Sequence, residues 1–396
     1  MNKRMAVSVA FLAAGLISGQ AFAGRSDRVD SFTPLGFFLV PNGGVAEIVG
    51  ATPDARTLVY ASSTNHRVGF VDISDPESPS LIKEIGVEGE PTSVAVSPDG
   101  GFALVGLQTT AFVVGPPPVQ TPGKLLVLRV ADASVVGSVP LGTGPDSVAV
   151  TEVGGETVAV IAIENEPILV DPDGNFVASD LPGQPNDVSA KGFVQVVTID
   201  WAHLEQSNVA DVRFDDEAFL TSLGLSFPND PQPEFVSIRA GLAAVTLQEN
   251  NGVAIIDLSD PRKPQLVRSF NAGKASDRPA DVKKRDGVIS LTDVYPASVI
   301  AQPHAGERSP DAIVWNARGT ALFTADEGEL AFTGSRGFTA FRPDGTVLWE
   351  DRGELEAIAV TRGQYPEARS AAKGVELEGL AIGTRSTSHF PLSTST

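Results

Sequence analysis

Short runs of alternating apolar and polar residues recur along the chain, and most follow the same opening phrase. EPTSVAVSPDG (90–100), GPDSVAVTEVG (144–154), QPNDVSAKG (from 184), QPEFVSIRAG (from 232) and SPDAIVWNARG (from 309) each set a proline and a polar or acidic residue before such a run. A turn and a second run follow, as in FALVGLQ (102–108), TVAVIAIE (157–164), LAAVTLQE (242–249) and ALFTADE (321–327). A third often comes next: HRVGFVDIS (66–74), KLLVLRV (124–130), GVAIIDLS (252–259) and GFTAFRPDG (337–345). A period of two sends successive side chains to opposite faces of a strand. Units of three or four short strands, repeating every roughly 40–75 residues, are the signature of a β-propeller. A β-sandwich would not need five copies of one opening phrase.

Two further copies extend the count. GVAEIVGATPDARTLVYASS (44–63) lacks the proline, and VELEGLAIG (375–383) is the last. The fold class predicted is all-β, a seven-bladed β-propeller of YVTN/WD40 type whose last blade is incomplete, because one of its strands is present and the others are not. A strand from FTPLGFFLVP (32–41) closes the ring in one arrangement; in the other the product is incomplete. Closure at seven blades would remove exposed sheet edges.

Two segments break the rhythm. Residues 201–230 contain DDEAFLTSLGLSFPND, where Asp215 is the expected cap of a short helix with Phe219, Leu220 and Leu223 on one side. Residues 271–308 are polar and carry Pro279, Pro296 and Pro303. Long insertions lie over one face of a scaffold, where function concentrates, although surface decoration explains them as well.

The N-terminus reads as a secretory signal, with Lys3 and Arg4, an apolar run over 5–17 and the small-x-small site Ala21-Phe22-Ala23. The expected division is a signal peptide at 1–23, a lead-in at 24–43, the propeller at 44–383 and an irregular tail at 384–396. A retained anchor is the alternative; no later stretch is apolar enough to span a bilayer. The expected location is periplasmic or secreted, and the expected state is a monomer.

Composition narrows the chemistry. With no cysteine there are no disulfides and no thiolate metal sites. The formal charge is −20, and −22 once the signal and its two basic residues are removed. Such a surface does not suit nucleic acid or anionic lipid, and it does suit cations or plain solubility. Abundant Gly (39) and Pro (29) beside 42% hydrophobic residues fit many short strands and turns.

In a propeller the first strand of each blade lines the central channel. The acidic positions of the repeated phrase, Glu47, Asp146, Asp187, Glu234, Asp311, Glu376 and Glu378, are therefore expected to converge. The loops LQENN, IENEP (163–167) and ADEGE (325–329) add Glu249, Glu164 with Glu166, and Glu327 with Glu329. Neighbouring strands run antiparallel, so these loops are expected at the same end as the acidic entrances. Clustered carboxylates repel unless a cation, ordered water or an intruding basic group compensates them. The predicted metal ligands are Glu249, Asp311, Glu327, Glu376 and Glu378. An all-oxygen set favours Ca2+ or Mg2+ over zinc. The predicted ligand-binding residues are Asp146, Glu234, Arg308, Arg369 and Lys373, with the basic members holding a phosphate or carboxylate or neutralising nearby acids. The alternative is that the carboxylates bond turn N–H groups.

Other signals are weak. The turns SPDG, DPDG and RPDG are ordinary turn chemistry without EF-hand spacing. His66, His203, His304 and His389 make no metal pair, and neither H-E-x-x-H nor G-x-S-x-G occurs. His304 reaches the acidic face or is solvated. Ser335 beside Arg336 in GSRG reads equally well as a glycine-flanked turn. No heme, nucleotide or zinc is expected.

PEFVSI…AAVTLQENNGVAIIDL (233–258), SPDAI…LFTADEGE (309–329) and GELEAIAV…RSAAKGVELEGLAIG (353–383) together resemble the exported propeller family called choice-of-anchor I. That family is similar to mesenchyme-specific cell-surface glycoproteins and to the esterase-like domain associated with phytases. The resemblance covers most of 44–383 and is strongest after 230. The family usually has Asn where this chain has Asp326, and Pro where it has Leu377. The resemblance implies an exported propeller, some of whose relatives carry phosphatase or phytase-like names; fold alone establishes neither activity. Two readings stand. One is a non-enzymatic protein binding a ligand, a cell-surface partner or a divalent cation on its acidic face. The other is a metal-dependent phosphoesterase in which the metal activates water and Arg or Lys steadies the phosphate.

Overall fold

A computed structural model describes residues 35–110, 119–166, 168–177, 183, 187, 189–275, 278–283, 285–328 and 334–382. The expected signal at 1–23, the tail at 384–396 and Glu329 lie outside the described residues. No helix among the described residues is long and apolar enough to cross a membrane.

Twenty strands form five four-stranded antiparallel sheets. The first contains β1 (Ile48–Ala51), β2 (Thr57–Ser62), β3 (Arg67–Asp72) and β4 (Ser80–Gly86). The second contains β5 (Glu90–Val96), β6 (Phe102–Gln108), β7 (Lys124–Arg129) and β8 (Ser134–Pro140). The third begins with β9 (Pro145–Val153) and β10 (Glu156–Ile163). It is interrupted by the hairpin β11 (Leu169–Val170) and β12 (Phe176–Val177), then completed by β13 (Phe193–Thr198) and β14 (Asn208–Arg213). The helix α1 (Glu217–Ser222) leads to the fourth sheet: β15 (Pro233–Arg239), β16 (Leu242–Leu247), β17 (Gly252–Asp257) and β18 (Gln265–Asn271). After α2 (Ala297–Ile300) comes the fifth: β19 (Pro310–Trp315), β20 (Leu322–Asp326), β21 (Gly337–Phe341) and β22 (Val347–Glu350). The helix α3 (Glu354–Thr361) follows it.

The first strands of successive sheets pack in turn, β1 on β5, β5 on β9, β9 on β15 and β15 on β19, which is a propeller-like arrangement. The core lies between sheets. Val59, Phe70, Val105 and Leu128 fill the first seam, and Leu104, Leu125, Ile161 and Val197 the second. Val160, Val194, Val245 and Ile256 fill the third, and Ile255, Ile313, Leu322 and Phe341 the fourth. Middle strands are covered on both faces and therefore read as nearly continuous apolar runs. The outer strands β4 and β22 remain largely open to solvent. Serines stitch the seams: Ser93 accepts the N–H of Val148, Ser147 that of Val236, and Ser237 that of Trp315, at 3.0, 3.2 and 3.2 Å.

Several sequence expectations change. Five four-stranded sheets are described where seven blades were expected. The described residues of QPNDVSAKG open no sheet. Its Asp187 bridges to Leu169 and accepts the Ile168 N–H at 3.0 Å, while FVQVVT becomes the third strand of a sheet already begun. Residues 375–382 form no strand. Residues 35–40 form none either; Gly36 lies against Pro76 and Pro79 of the first sheet. GELEAIAV, for which no element was expected, forms α3; its N-cap residue is Gly353, without a side-chain cap, and Asp351 two residues earlier accepts the Leu355 N–H at 3.0 Å. The cap of α1 is Asp216 and not Asp215; it accepts the Phe219 N–H at 2.9 Å.

The turn Gln248–Gly252, four polar residues and a glycine, is built around two of its amides. Asn250 donates to the carbonyls of Ser226, Phe227 and Asp230 at 2.9, 3.1 and 3.0 Å. It also accepts the Gln232 N–H at 2.9 Å, so one side chain fixes the end of the first insertion. Asn251, at φ +52°, accepts the N–H groups of Arg308 and Ser309 at 3.1 and 3.2 Å and donates to Gly273 at 3.1 Å. It fixes the second. Replacing Asn250 with Ala leaves buried carbonyls without donors and is expected to cost about 3 kcal/mol. Urea denaturation of Asn250→Ala against the parent protein measures it.

Asp326 closes β20 with no exposed surface and accepts the hydroxyls of Thr324 and Thr339. Burial pushes its carboxyl up to about 7, against the pull of those hydroxyls and of Arg308. The folded protein therefore holds a proton here that the unfolded chain releases near 3.8. That contribution to stability is complete below 3.8 and is lost as pH rises through about 7. Its size is on the order of 4 kcal/mol. In thermal melts from pH 4 to 8, the advantage of the parent over Asp326→Asn is expected to shrink across that window; a constant difference refutes it.

Candidate functional site

The acidic phrases sit where strand pairing slips. Register shifts fall between Pro91 and Ser93, between Pro233 and Val236, between Pro310 and Ile313, and beside Pro145, opposite Ile161 and Ile163. A β-bulge removes one residue from the ladder and re-aims its side chain. The residues at these slips are Thr92, Asp146, Glu234 and Asp311. In the second sheet, Thr92 turns its hydroxyl to the Pro145 carbonyl at 2.8 Å.

Pairing also fixes which loops join them. Pro145 stands opposite Ile163, Pro233 opposite Leu247 and Pro310 opposite Asp326. Glu164 and Glu327 follow those partners directly and Glu249 comes two residues after Leu247, so all three share an end with the acidic entrances. The Glu164 N–H donates to Gly144 at 3.0 Å and the Glu327 N–H to Ser309 at 3.1 Å.

Electrostatics show the convergence. Burial, then Glu249, Glu164, Asp311 and Asp146, push the Glu234 carboxyl well above its ordinary range. Burial, then Glu327, Glu378, Asp146 and Glu249, do the same to Asp311. Both side chains keep part of their surface open to solvent while protein surrounds them, as groups lining a narrow channel do. Glu378 is raised by burial and by Glu376, eased by Lys373 and Arg369, and raised again by Glu47. The segment carrying Glu378 therefore stands between the entrance of the first sheet and that of the fifth.

Basic groups intrude from that same segment. Lys373 places its ammonium 2.7 Å from Glu327 Oε1 and 3.6 Å from Glu376 Oε1. Arg369 reaches Glu376 at 2.5 Å, and Gln248 donates to the other Glu327 oxygen at 2.7 Å. Of the expected site residues, Asp146, Glu234, Glu249, Asp311, Glu327, Glu376, Glu378, Arg369 and Lys373 thus meet at one mouth. Among the described residues, no group of three or more His, Asp or Glu side chains is arranged to hold a metal ion. Glu327 and Glu376 are already engaged by cations of the chain itself.

Other expected residues lie elsewhere. Arg308 is turned into the seam of the fourth and fifth sheets, where it donates to the Ala272 carbonyl at 2.7 Å and pairs with Glu350. Asp187 stands beside Asp230. His304 stacks on Phe227 with ring centroids 4.6 Å apart, and its Nδ1 lies 3.0 Å from the Ser226 hydroxyl. Ser226 donates in turn to Glu307, so this trio ties one insertion to the other and exposes no activated nucleophile. Arg336 is wholly buried and reaches the Ser370 carbonyl at 2.8 Å. Gln248 and Thr92 were missed, although the alignment of LQE with ADE and of PTS with PDS marks both positions.

No curated protein matches the chain. Among solved structures it is similar to Kuenenia stuttgartiensis hydrazine synthase, at 15% identity and a TM-score of 0.36, over 75% of this chain and 83% of that one. It is also similar to a functionally unknown protein from Desulfotomaculum acetoxidans DSM 771, at 12% identity and a TM-score of 0.40, over 79% and 86%. Neither likeness carries a functional argument. The choice-of-anchor I domain matches residues 47–294, more than half of the chain and all of the first four sheets. With that match, the chain belongs to the choice-of-anchor I family.

Proposed function

We propose that this is an exported, non-enzymatic propeller that binds a cationic ligand at its acidic channel mouth. Such a ligand is a divalent ion, Ca2+ or Mg2+, or a basic group of a cell-surface partner. The observation that carries the reading is the seat of Lys373, an ammonium held by Glu327 and Glu376 beside carboxylates of three different sheets. Charge compensation at this mouth is thus partly built in, and Glu234 and Asp311 are the carboxyls that burial and neighbouring acids still push up. An external cation would stabilise their ionised forms, and taking it up would release protons from Glu234 and Asp311.

Cation binding is therefore expected to strengthen as pH rises. Thermal melts with Ca2+, Mg2+ or an oligolysine peptide, at constant ionic strength, test it. A hundredfold excess over Kd is worth about 2.7 kcal/mol. The melting temperature is expected to rise by a few degrees at pH 8, and the rise to vanish at pH 5 and in the double variant Glu234→Gln, Asp311→Asn. No rise with any of the three probes at pH 8 refutes the reading. Chelator-sensitive hydrolysis of a chromogenic phosphate ester by the same preparation replaces it with metal-dependent phosphoesterase chemistry.

Lys373 gives a sharper test. Removing it as Lys373→Ala leaves Glu327 without its lysine counter-ion, while Glu376 keeps Arg369. The variant is expected to melt lower than the parent without added cation and to gain more from Ca2+. Equal gains in both proteins separate Lys373 from the binding mouth.

A further inference from the structure

A second polar concentration involves none of the mouth carboxylates. Ala275, Arg278, Pro279, Ser335, Glu350 and Arg352 enclose a cavity of about 180 Å3, well above the roughly 15 Å3 that admits one water. It draws on the second insertion, on the turn before β21 and on the link from β22 to α3.

Arg278 is the unusual member. It is only 6% exposed, and its Nη1 donates to Glu356 Oε2 at 2.6 Å. Among the described residues its Nε and Nη2 have no partner. Those two nitrogens form the side-on edge of a guanidinium, whose parallel N–H groups match the oxygens of a carboxylate or phosphate. A buried donor pair left in this state costs free energy unless a ligand or water meets it.

The two glutamates nearest Arg278 and Arg352 are already engaged. Glu356, 1% exposed, also lies 3.7 Å from Arg336 Nη1, so one carboxylate serves two guanidinium groups. Glu350 gives one oxygen to Arg308 and the other to Arg352 at 3.1 Å. Asp351 accepts the Leu355 N–H, and Asp281 accepts that of Lys283 at 3.1 Å with one oxygen, its other oxygen having no partner among the described residues. Two arginines and one carboxylate line the cavity, in a chain whose formal charge is −20. Gly353, at φ +87°, lets the backbone lie against the opposite side of Arg278, where a Cβ would come within 3.2 Å of Nη1. Arg278 is thereby held on its Glu356 side and open on the other.

We infer that this cavity is a binding site for a small oxyanion, a carboxylate or phosphate group received by the Nε and Nη2 edge of Arg278, with Arg352 and Ser335 beside it. The acidic mouth and this cavity then take groups of opposite charge.

Isothermal titration of the whole protein with sodium phosphate, and separately with sodium acetate, both balanced with sodium chloride, tests the inference. Saturable binding of at least one anion is expected, and the anion preferred distinguishes a phosphoryl from a carboxylate ligand. Arg278→Lys keeps the charge and loses the fork, and is expected to weaken binding about tenfold, the loss of one charge-assisted hydrogen bond. Arg352→Gln, at a side chain 78% exposed, puts folding at little risk and is expected to weaken binding several-fold while leaving the Ca2+ response intact. Should Arg278→Lys fail to fold, Arg352→Gln decides. No saturable heat with either anion, or unchanged affinity in Arg352→Gln, overturns the proposal.

Discussion

Like charges are forced together at the axis of this protein, and much of its construction answers that constraint. Each of the last three sheets starts its first strand with a proline and an acid, and those strands pack on one another in succession. Carboxylates distant in sequence therefore cannot avoid each other. Burial and mutual repulsion raise Glu234 and Asp311. The chain relieves part of the repulsion with a segment that belongs to no sheet. Residues following α3 bring Arg369 and Lys373 to Glu376 and Glu327, and bring Glu378 within reach of Glu47. That segment acts where a further strand was expected. It stands between the first and fifth entrances and contributes charge where another sheet would contribute hydrogen bonds.

The mouth also needs stiff walls, because carboxylates free to move would separate. Asn250 and Asn251 provide them. Between them they satisfy backbone groups of both long insertions, and Ser226, His304 and Glu307 join those insertions to each other. The acidic residue in the same turn, Glu249, then faces neighbours whose positions are set. Amides and acid have separate tasks in one loop: the amides hold the frame and the acid adds to its field. The same division recurs in the fifth sheet, where Asp326 is buried among hydroxyls and the adjacent Glu327 meets Lys373.

What the sequence made legible was what depends on local period and on repetition. Alternating runs marked the strands, and the Pro-acid phrase marked the first strand of the last three sheets. Antiparallel pairing then sufficed to bring Glu164, Glu249 and Glu327 to the same end as Asp146, Glu234 and Asp311. Sheet membership was less legible. QPNDVSAKG has the phrase but not the place, because Phe193–Thr198 pairs with β10, and a strand's partner is a tertiary choice. GELEAIAV has apolar residues that fit either period, and it became a helix whose first turn gives the Leu355 N–H to the preceding Asp351. The Arg278–Glu356 pair left no trace, since two single residues 78 positions apart make no pattern.

The bulges give the mouth a direction. At the slip of the second sheet the side chain is Thr92, and its hydroxyl is spent on the Pro145 carbonyl across the seam. At the third, fourth and fifth it is Asp146, Glu234 and Asp311, and the charges of Asp146 and Asp311 act on Glu234 as that of Asp146 does on Asp311. The same geometric device therefore ends in a closed contact on one side of the axis and in a field of negative charge on the other. Lys373 enters on the charged side, next to the fifth sheet. A cation entering this mouth as proposed would meet an unequal ring, with the acidic side chains of the third to fifth sheets on one side of it.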